Sequence, residues 1–141
     1  MTESVSFKFK VKSDDFLTAG RVASEIKKYL LQLGIDPKII RTISICAYEA
    51  EMNLVIHSQG GEIELEISNK KIHLRSIDDG PGIENISLAM KEGYSTASEK
   101  AREMGFGAGM GLPNMKKNAE SFEITSSKAG TKINMTYSIK Q

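Results

Sequence analysis

Glu62-Ile63-Glu64-Leu65-Glu66-Ile67-Ser68-Asn69-Lys70-Lys71-Ile72-His73-Leu74-Arg75-Ser76-Ile77-Asp78-Asp79-Gly80-Pro81-Gly82-Ile83 is the stretch that decides the fold. Ile63, Leu65 and Ile67 alternate with Glu62, Glu64 and Glu66, and Ile72, Leu74 and Ser76 alternate again beyond a tight turn at Asn69-Lys70. A period of two sends successive side chains to opposite faces, so this reads as a β-hairpin with one dry face. The second strand ends in Asp78, just before Gly80-Pro81-Gly82. A carboxylate there can accept a hydrogen bond from an exocyclic amine, and the glycines let backbone approach a flat ligand. The same residues also suit a plain turn between strands.

Upstream, Asp36-Pro37 predicts a helix start, with Asp36 as cap and Pro37 where a missing N–H costs nothing. Ile39, Ile43, Cys46, Ala47, Ala50 and Leu54 form its apolar stripe, and Ser58-Gln59-Gly60-Gly61 breaks it. Residues four apart share a helix face, so Glu49, Asn53 and His57 form one polar stripe. Asn53 offers a neutral oxygen suited to Mg²⁺. Glu49 can accept a proton, and His57 can donate toward phosphate. An ordinary wet helix face would look the same.

Before that helix, Val5, Phe7, Phe9 and Val11 alternate with polar residues and predict a strand. Ser13, Asp14 and Asp15 predict a helix start, followed by Phe16, Ala19, Val22, Ala23, Ile26, Leu30 and Leu33 at helical spacing, with Gly34 as its stop.

Downstream, residues 84–110 carry little core pattern, and a connection this long is often a lid or binding loop. It ends in Gly105-Phe106-Gly107-Ala108-Gly109-Met110-Gly111-Leu112. Glycines at spacing two weaken regular structure but let backbone bend around a ligand. The predicted helix from Pro113 follows at once, and helix N-terminal N–H groups attract anions. A hinge or a glycine-rich bulge is the alternative. Phe122-Glu123-Ile124 and Ile133, Met135, Tyr137 and Ile139 predict two last strands, separated by Lys128-Ala129-Gly130-Thr131. The order β-α-α-β-β-lid-α-β-β predicts an α/β (α+β) two-layer sandwich: a mixed, mostly antiparallel sheet with helices on one face.

The 141 residues suit one domain, residues 1–141, with 40% hydrophobic and 26% charged residues in the globular range. A net charge of +1 argues against broad nucleic-acid binding. One cysteine, Cys46, precludes an intrachain disulfide and suits a reducing compartment; its place on the apolar stripe makes it a small core residue. No signal peptide or membrane span is visible, so a cytoplasmic location is expected. Neither the P-loop pattern nor the dinucleotide G-x-G-x-x-G spacing is present, and no His/Cys cluster suggests zinc. His73 carries no functional signal.

The ordered set Glu49-Ala50-Glu51-Met52-Asn53, Asp78-Asp79-Gly80-Pro81-Gly82-Ile83 and Gly107-Ala108-Gly109-Met110-Gly111-Leu112, closed by Gly130-Thr131, resembles the Bergerat-fold (GHKL) ATPases. These include gyrase, Hsp90, histidine kinases and MutL. Over nearly the whole chain it is most similar to the small bacterial anti-sigma-factor and stress-switch serine/threonine kinases. The resemblance implies an ATP-binding fold with a flexible lid near 84–110. It implies that Glu49 is the general base and that Asn53 holds Mg²⁺ between the phosphates. Asp78 would bind the adenine amino group, helped by a water shared with Thr131. Gly80, Gly82 and Ile83 would line the adenine pocket. Gly107, Gly109 and Gly111, with Leu112 beside them, would contact phosphates.

The implied substrate is a Ser or Thr on an antagonist domain of the anti-anti-sigma (STAS) type. A sigma factor or a downstream phosphatase are further implied partners, and relatives of this kind often form homodimers. Two departures stand out. Phe106-Gly107-Ala108 occupies the place where many anti-sigma kinases carry a lid arginine, which leaves Lys100, Arg102 or Lys116 as substitutes. Ala97 to Met104 also lengthens the lid. The intact Glu49 favours a kinase, and the missing arginine favours an ATP-dependent module that sequesters its partner. A detached histidine-kinase catalytic domain is disfavoured, because no dimerisation helix pair precedes Val5. A gyrase-like or MutL-like ATPase would need a second domain.

Overall fold

The computed structural model describes residues 4–57, 59–80, 90 and 111–139. Expectations for Gly82, Ile83, Lys100, Arg102, Gly107, Gly109 and nearly all of the lid lie outside these residues. The elements run β1 (Ser4–Val11), α1 (Arg21–Gln32), α2 (Pro37–His57), β2 (Gly61–Ser68), β3 (Lys71–Asp78), α3 (Gly111–Asn118), β4 (Ser121–Ser127) and β5 (Gly130–Ser138). The strands form one sheet in the order β1-β2-β3-β5-β4. The sheet expected to be mixed and mostly antiparallel is antiparallel at every described pairing.

Alternation explains which face is buried. Ile63 and Leu65 on β2, Ile72 and Leu74 on β3 and Met135 on β5 are fully buried under the helices. Each such side chain contributes about 1.5–3 kcal/mol when removed from water. On the opposite face, register sets Lys8 against Glu64 and Glu64 against Arg75. Arg75 also lies 3.0 Å from Glu66 and holds that carboxyl below its ordinary range. Such exposed pairs contribute at most about 1 kcal/mol. Their effect is orientational: a one-residue slip would bury the charges.

Two layers follow from this single dry face. α2 packs against α1 on one side and α3 on the other, and it also meets β1, β2 and β3. Small residues on its inner stripe, Cys46, Ala47 and Ala50, are fully buried and let it lie close to the sheet. Tyr29 of α1 stacks on Phe7 of β1 at 4.5 Å between ring centroids. Among the described residues, no helix is long and apolar enough to cross a membrane.

The start of α1 differs from expectation. Asp14 adopts a left-handed backbone at φ 56, and Asp15 accepts a hydrogen bond from the Thr18 hydroxyl at 2.5 Å. These residues build a turn, and the helix begins only at Arg21, after Gly20 at φ 98. Its first amides are satisfied from α2. Glu51, only 3% exposed, accepts hydrogen bonds from the backbone N–H groups of Gly20 at 3.0 Å, Val22 at 3.2 Å and Ala23 at 3.0 Å. A carboxylate at a helix N-terminus meets both unpaired donors and the positive end of the dipole. α2 starts as expected, with Asp36 Oδ1 accepting from the Lys38 N–H at 2.8 Å. α3 starts two residues before Pro113, so Gly111 belongs to its first turn. Proline is tolerated there because first-turn N–H groups have no partner within the helix.

Candidate nucleotide-binding site

Glu49 and Asn53 stand one turn apart on α2, both half-buried. α3 closes against them. A Cβ added to Gly111 would lie 3.1 Å from Glu49 Oε2 and 3.2 Å from Asn53 Oδ1. A side chain there would need both polar groups to shift by a few tenths of an ångström. Asn114 also stands in the first turn of α3. Burial raises the Glu49 carboxyl above its ordinary range, and the polar Asn114 side chain offsets part of that rise. The result is a carboxylate of raised basicity next to a neutral amide oxygen.

Asp78 closes β3 and is half-buried. Its Oδ1 accepts from the Thr131 backbone N–H at 2.7 Å and from the Gly80 N–H at 3.0 Å. Among the described residues, Oδ2 accepts no bond, so it is an acceptor held in a fixed direction. Gly130 makes the close approach possible. A Cβ there would lie 2.5 Å from Asp78 Oδ1 and closer still to the Asp78 carbonyl oxygen. Thr131 is buried, and its hydroxyl lies 2.9 Å from the Ser126 hydroxyl. Its direct link to Asp78 thus runs through its backbone amide.

The two groups belong to one end of the molecule. The chain leaving α2 pairs with the turn leaving β3: the Gln59 N–H donates to Gly80 O at 2.8 Å, and the Asp79 N–H donates to Gly60 O at 2.9 Å. The C-terminal turns of α2 and the Asp78 end of β3 are thereby tied together. His57 is the last residue of α2, and its side chain lies outside the described residues. Gly80 is buried within the Asp78 turn. Leu112, expected beside the phosphates, is 6% exposed and packs in the hydrophobic core. Lys116 is exposed in the last turn of α3. Cys46 is buried in the core, as expected, with its thiol pushed up to about 11 by desolvation.

These acceptors suit an adenine nucleotide with its cation. One carboxylate oxygen is fixed by loop amides and the other is left to accept. A neutral oxygen of the kind Mg²⁺ takes stands beside a base. Two further residues matter that the sequence reading passed over as players. Glu51 shares the quoted motif, but its three partners lie 28 to 31 residues away. Asn114 stands three residues beyond Gly111, and its short polar side chain within an apolar helix start was the available signal.

Comparisons with known proteins place the chain in a family. The profile of the Histidine kinase-, DNA gyrase B-, and HSP90-like ATPase family matches residues 40–141. The Anti-sigma F factor of Thermoanaerobacter sp. is 34% identical over 110 residues, which span 72% of this chain and 73% of that protein. The Anti-sigma F factor of Clostridium beijerinckii is 32% identical over 138 residues, 92% of this chain and 90% of the relative. The Serine/threonine-protein kinase RsbT of Bacillus subtilis is 27% identical over 79% of each chain. Among solved structures, that of the RsbU and RsbW domains of Rv1364c from Mycobacterium tuberculosis has a TM-score of 0.62 at 17% identity. That match covers 96% of this chain and 33% of the longer one, and it speaks for the fold alone. The resemblance carried by the three motifs is borne out: this chain belongs to the histidine kinase-, DNA gyrase B- and HSP90-like ATPase family.

Proposed function

We propose that residues 1–141 form a single ATP-binding domain that acts as a serine/threonine protein kinase of the anti-sigma regulatory type. Its substrate would be a Ser or Thr hydroxyl on a STAS-type antagonist protein, and the transfer would switch partner binding. One observation carries this reading: Glu49, a half-buried carboxylate of raised basicity, stands one helical turn from Asn53, and both oxygens face the same residue of α3. The named activities of the relatives support it, since RsbT is a serine/threonine-protein kinase and the others are anti-sigma factors.

Mg·ATP supplies the phosphoryl group and neutralises charge during its transfer. Glu49 accepts the proton of the attacking hydroxyl, and its raised basicity strengthens it for that task. The Asn53 carboxamide oxygen would be the protein ligand for the cation. Asp78 accepts from the adenine amino group through its free oxygen, in a direction fixed by the Thr131 and Gly80 amides. Gly80 backs the base, and Gly111 leaves room beside Glu49 and Asn53.

A second reading has its own support. Phe106-Gly107-Ala108 lacks an arginine, and positive charge supplies much of the rate of phosphoryl transfer. A module that sequesters a sigma factor or antagonist in an ATP-dependent complex needs no such charge. Incubation with labelled ATP and a STAS-domain protein encoded by a neighbouring gene separates the two. Label on that protein supports the kinase. A stable ATP-dependent complex without label supports sequestration, and the absence of any ATP binding removes both.

A further inference from the structure

We propose that the groove between α1 and α2 is the docking surface for the protein substrate, and that it takes an apolar segment with acidic flanks lying beside the acceptor hydroxyl. This deepens the kinase reading and rests on it for the identity of the occupant.

The groove follows from a second stripe on α2. The inner stripe, with Ile43, Ala47 and Ala50, is buried in the core. Arg41, Ser44, Ile45 and Tyr48 recur at spacings of three and four beside it. With Lys27 and Leu31 of α1 they line an open groove of about 510 Å³. A helix in a two-layer fold needs one apolar face, so its outward stripe is free to be polar. Yet of the six large apolar side chains exposed among the described residues, three meet in this groove: Leu31, Ile45 and Tyr48. Single exposed apolar groups mean little, whereas a cluster rimmed by charge marks an interaction surface. The Ser44 hydroxyl on the wall has no hydrogen-bond partner among the described residues, and its rotation can serve an incoming peptide group.

Two observations choose the occupant. The groove runs into the candidate site, because Glu49 lines it as well and also faces Gly111 at the start of α3. From Pro37 to Glu49 it follows about 18 Å of α2. A chain seated along that length delivers its hydroxyl to the carboxylate that would take the proton. Charge is the second observation. Lys27 and Arg41 are exposed on the rim, and neither has an ion-pair partner among the described residues. Their charge selects acidic groups on the occupant and steers its approach. A second copy of this chain, in a two-fold contact centred here, would set the same cations against each other.

Phosphotransfer from Mg·ATP to a purified STAS-domain protein encoded by a neighbouring gene tests the proposal. Ile45→Asp and Arg41→Glu should each raise the KM for that protein about tenfold or more, with kcat and the Kd for Mg·ATP changed less than about twofold. Arg41 is exposed, so its variant keeps the test valid should Ile45→Asp unfold. Val5→Asp, a like change on the exposed edge of β1, should leave KM as in wild type. Wild-type KM should rise with salt, and Arg41→Glu should flatten that rise. Unchanged KM in both groove variants overturns the proposal and leaves the kinase reading standing. If no label is transferred, the kinase reading fails, and calorimetric titration with the same STAS-domain protein decides the groove alone. Binding weakened in both groove variants supports it; binding equal to wild type, or no binding by wild type, overturns it. Sedimentation in which Ile45→Asp splits a dimer while affinity for the STAS-domain protein is unchanged assigns the groove to a second copy and overturns it too.

Discussion

Glu51 on α2 accepts the Ala23 backbone N–H of α1 at 3.0 Å, so the first helix is capped by a residue on the second. The same carboxylate takes the Gly20 and Val22 amides. Glu51→Ala leaves three donors without this acceptor, two of them buried, and opens a small void. A destabilisation of roughly 2–4 kcal/mol is expected. Glu51→Gln keeps one acceptor oxygen and should lose about half as much. Urea denaturation followed by circular dichroism reads both as shifts in midpoint. A Glu51→Ala midpoint equal to wild type would refute the capping role.

Gly130 stands where β5 begins, at φ 143, in a region that L side chains rarely adopt. An added Cβ would also press on the Asp78 carboxylate and carbonyl. Gly130→Ala is expected to cost about 1–3 kcal/mol from backbone strain and to weaken ATP binding through the displaced Asp78. Calorimetric titration with Mg·ATP, beside a thermal melt, checks both effects. Unchanged affinity with lowered stability would separate the turn from the binding site.

The regular parts of this molecule were legible before any coordinates. Ile63, Leu65, Ile67, Ile72 and Leu74 dictate their strands because period-two burial tolerates no slip. Ile43, Ala47, Ala50 and Leu54 dictate α2 in the same way. The start of α1 was not legible. Ser13, Asp14 and Asp15 carry the local signals of a cap, yet the helix takes its cap from Glu51, 28 to 31 residues further on. Local propensity cannot register a partner that distant. Gly111 was legible as part of a glycine run expected to bend around phosphates, and its near neighbours in the fold are Glu49 and Asn53, two side chains on another helix. Leu112 lay beside the glycine run in sequence, but its apolar side chain went to the core.

Glu49 gives a pH signature. Burial raises its carboxyl above the unfolded value of about 4.3. The sign follows from linkage: a raised folded-state pKa gives a stabilising contribution that is complete below the unfolded value and lost as pH rises through the folded one. Glu49→Gln should therefore stabilise the protein relative to wild type near pH 7, and that advantage should vanish near pH 4. Urea midpoints at the two pH values measure it. In phosphotransfer, the acid limb of the kcat profile should fall at a pKa above the ordinary carboxylate range and disappear in Glu49→Gln, as expected of a base active in its ionised form.

Asp78 offers the sharpest separation of binding from folding. Oδ1 holds the Thr131 and Gly80 amides, and Oδ2, which accepts no bond among the described residues, is the oxygen proposed to accept from a base edge. Asp78→Asn can keep a carbonyl oxygen on the two amides, so the turn survives. The NH₂ group then replaces Oδ2 and turns an acceptor into a donor facing the adenine amine. ATP affinity should fall by about 30-fold or more, corresponding to roughly 2 kcal/mol or more, with a melting temperature close to wild type. Asp78→Ala removes both turn bonds and should lower stability and affinity together. A nucleotide carrying a hydrogen in place of the amino group should bind wild type weakly and Asp78→Asn about equally. Equal ATP affinity in wild type and Asp78→Asn would dissociate this carboxylate from the adenine, whatever the fate of the fold.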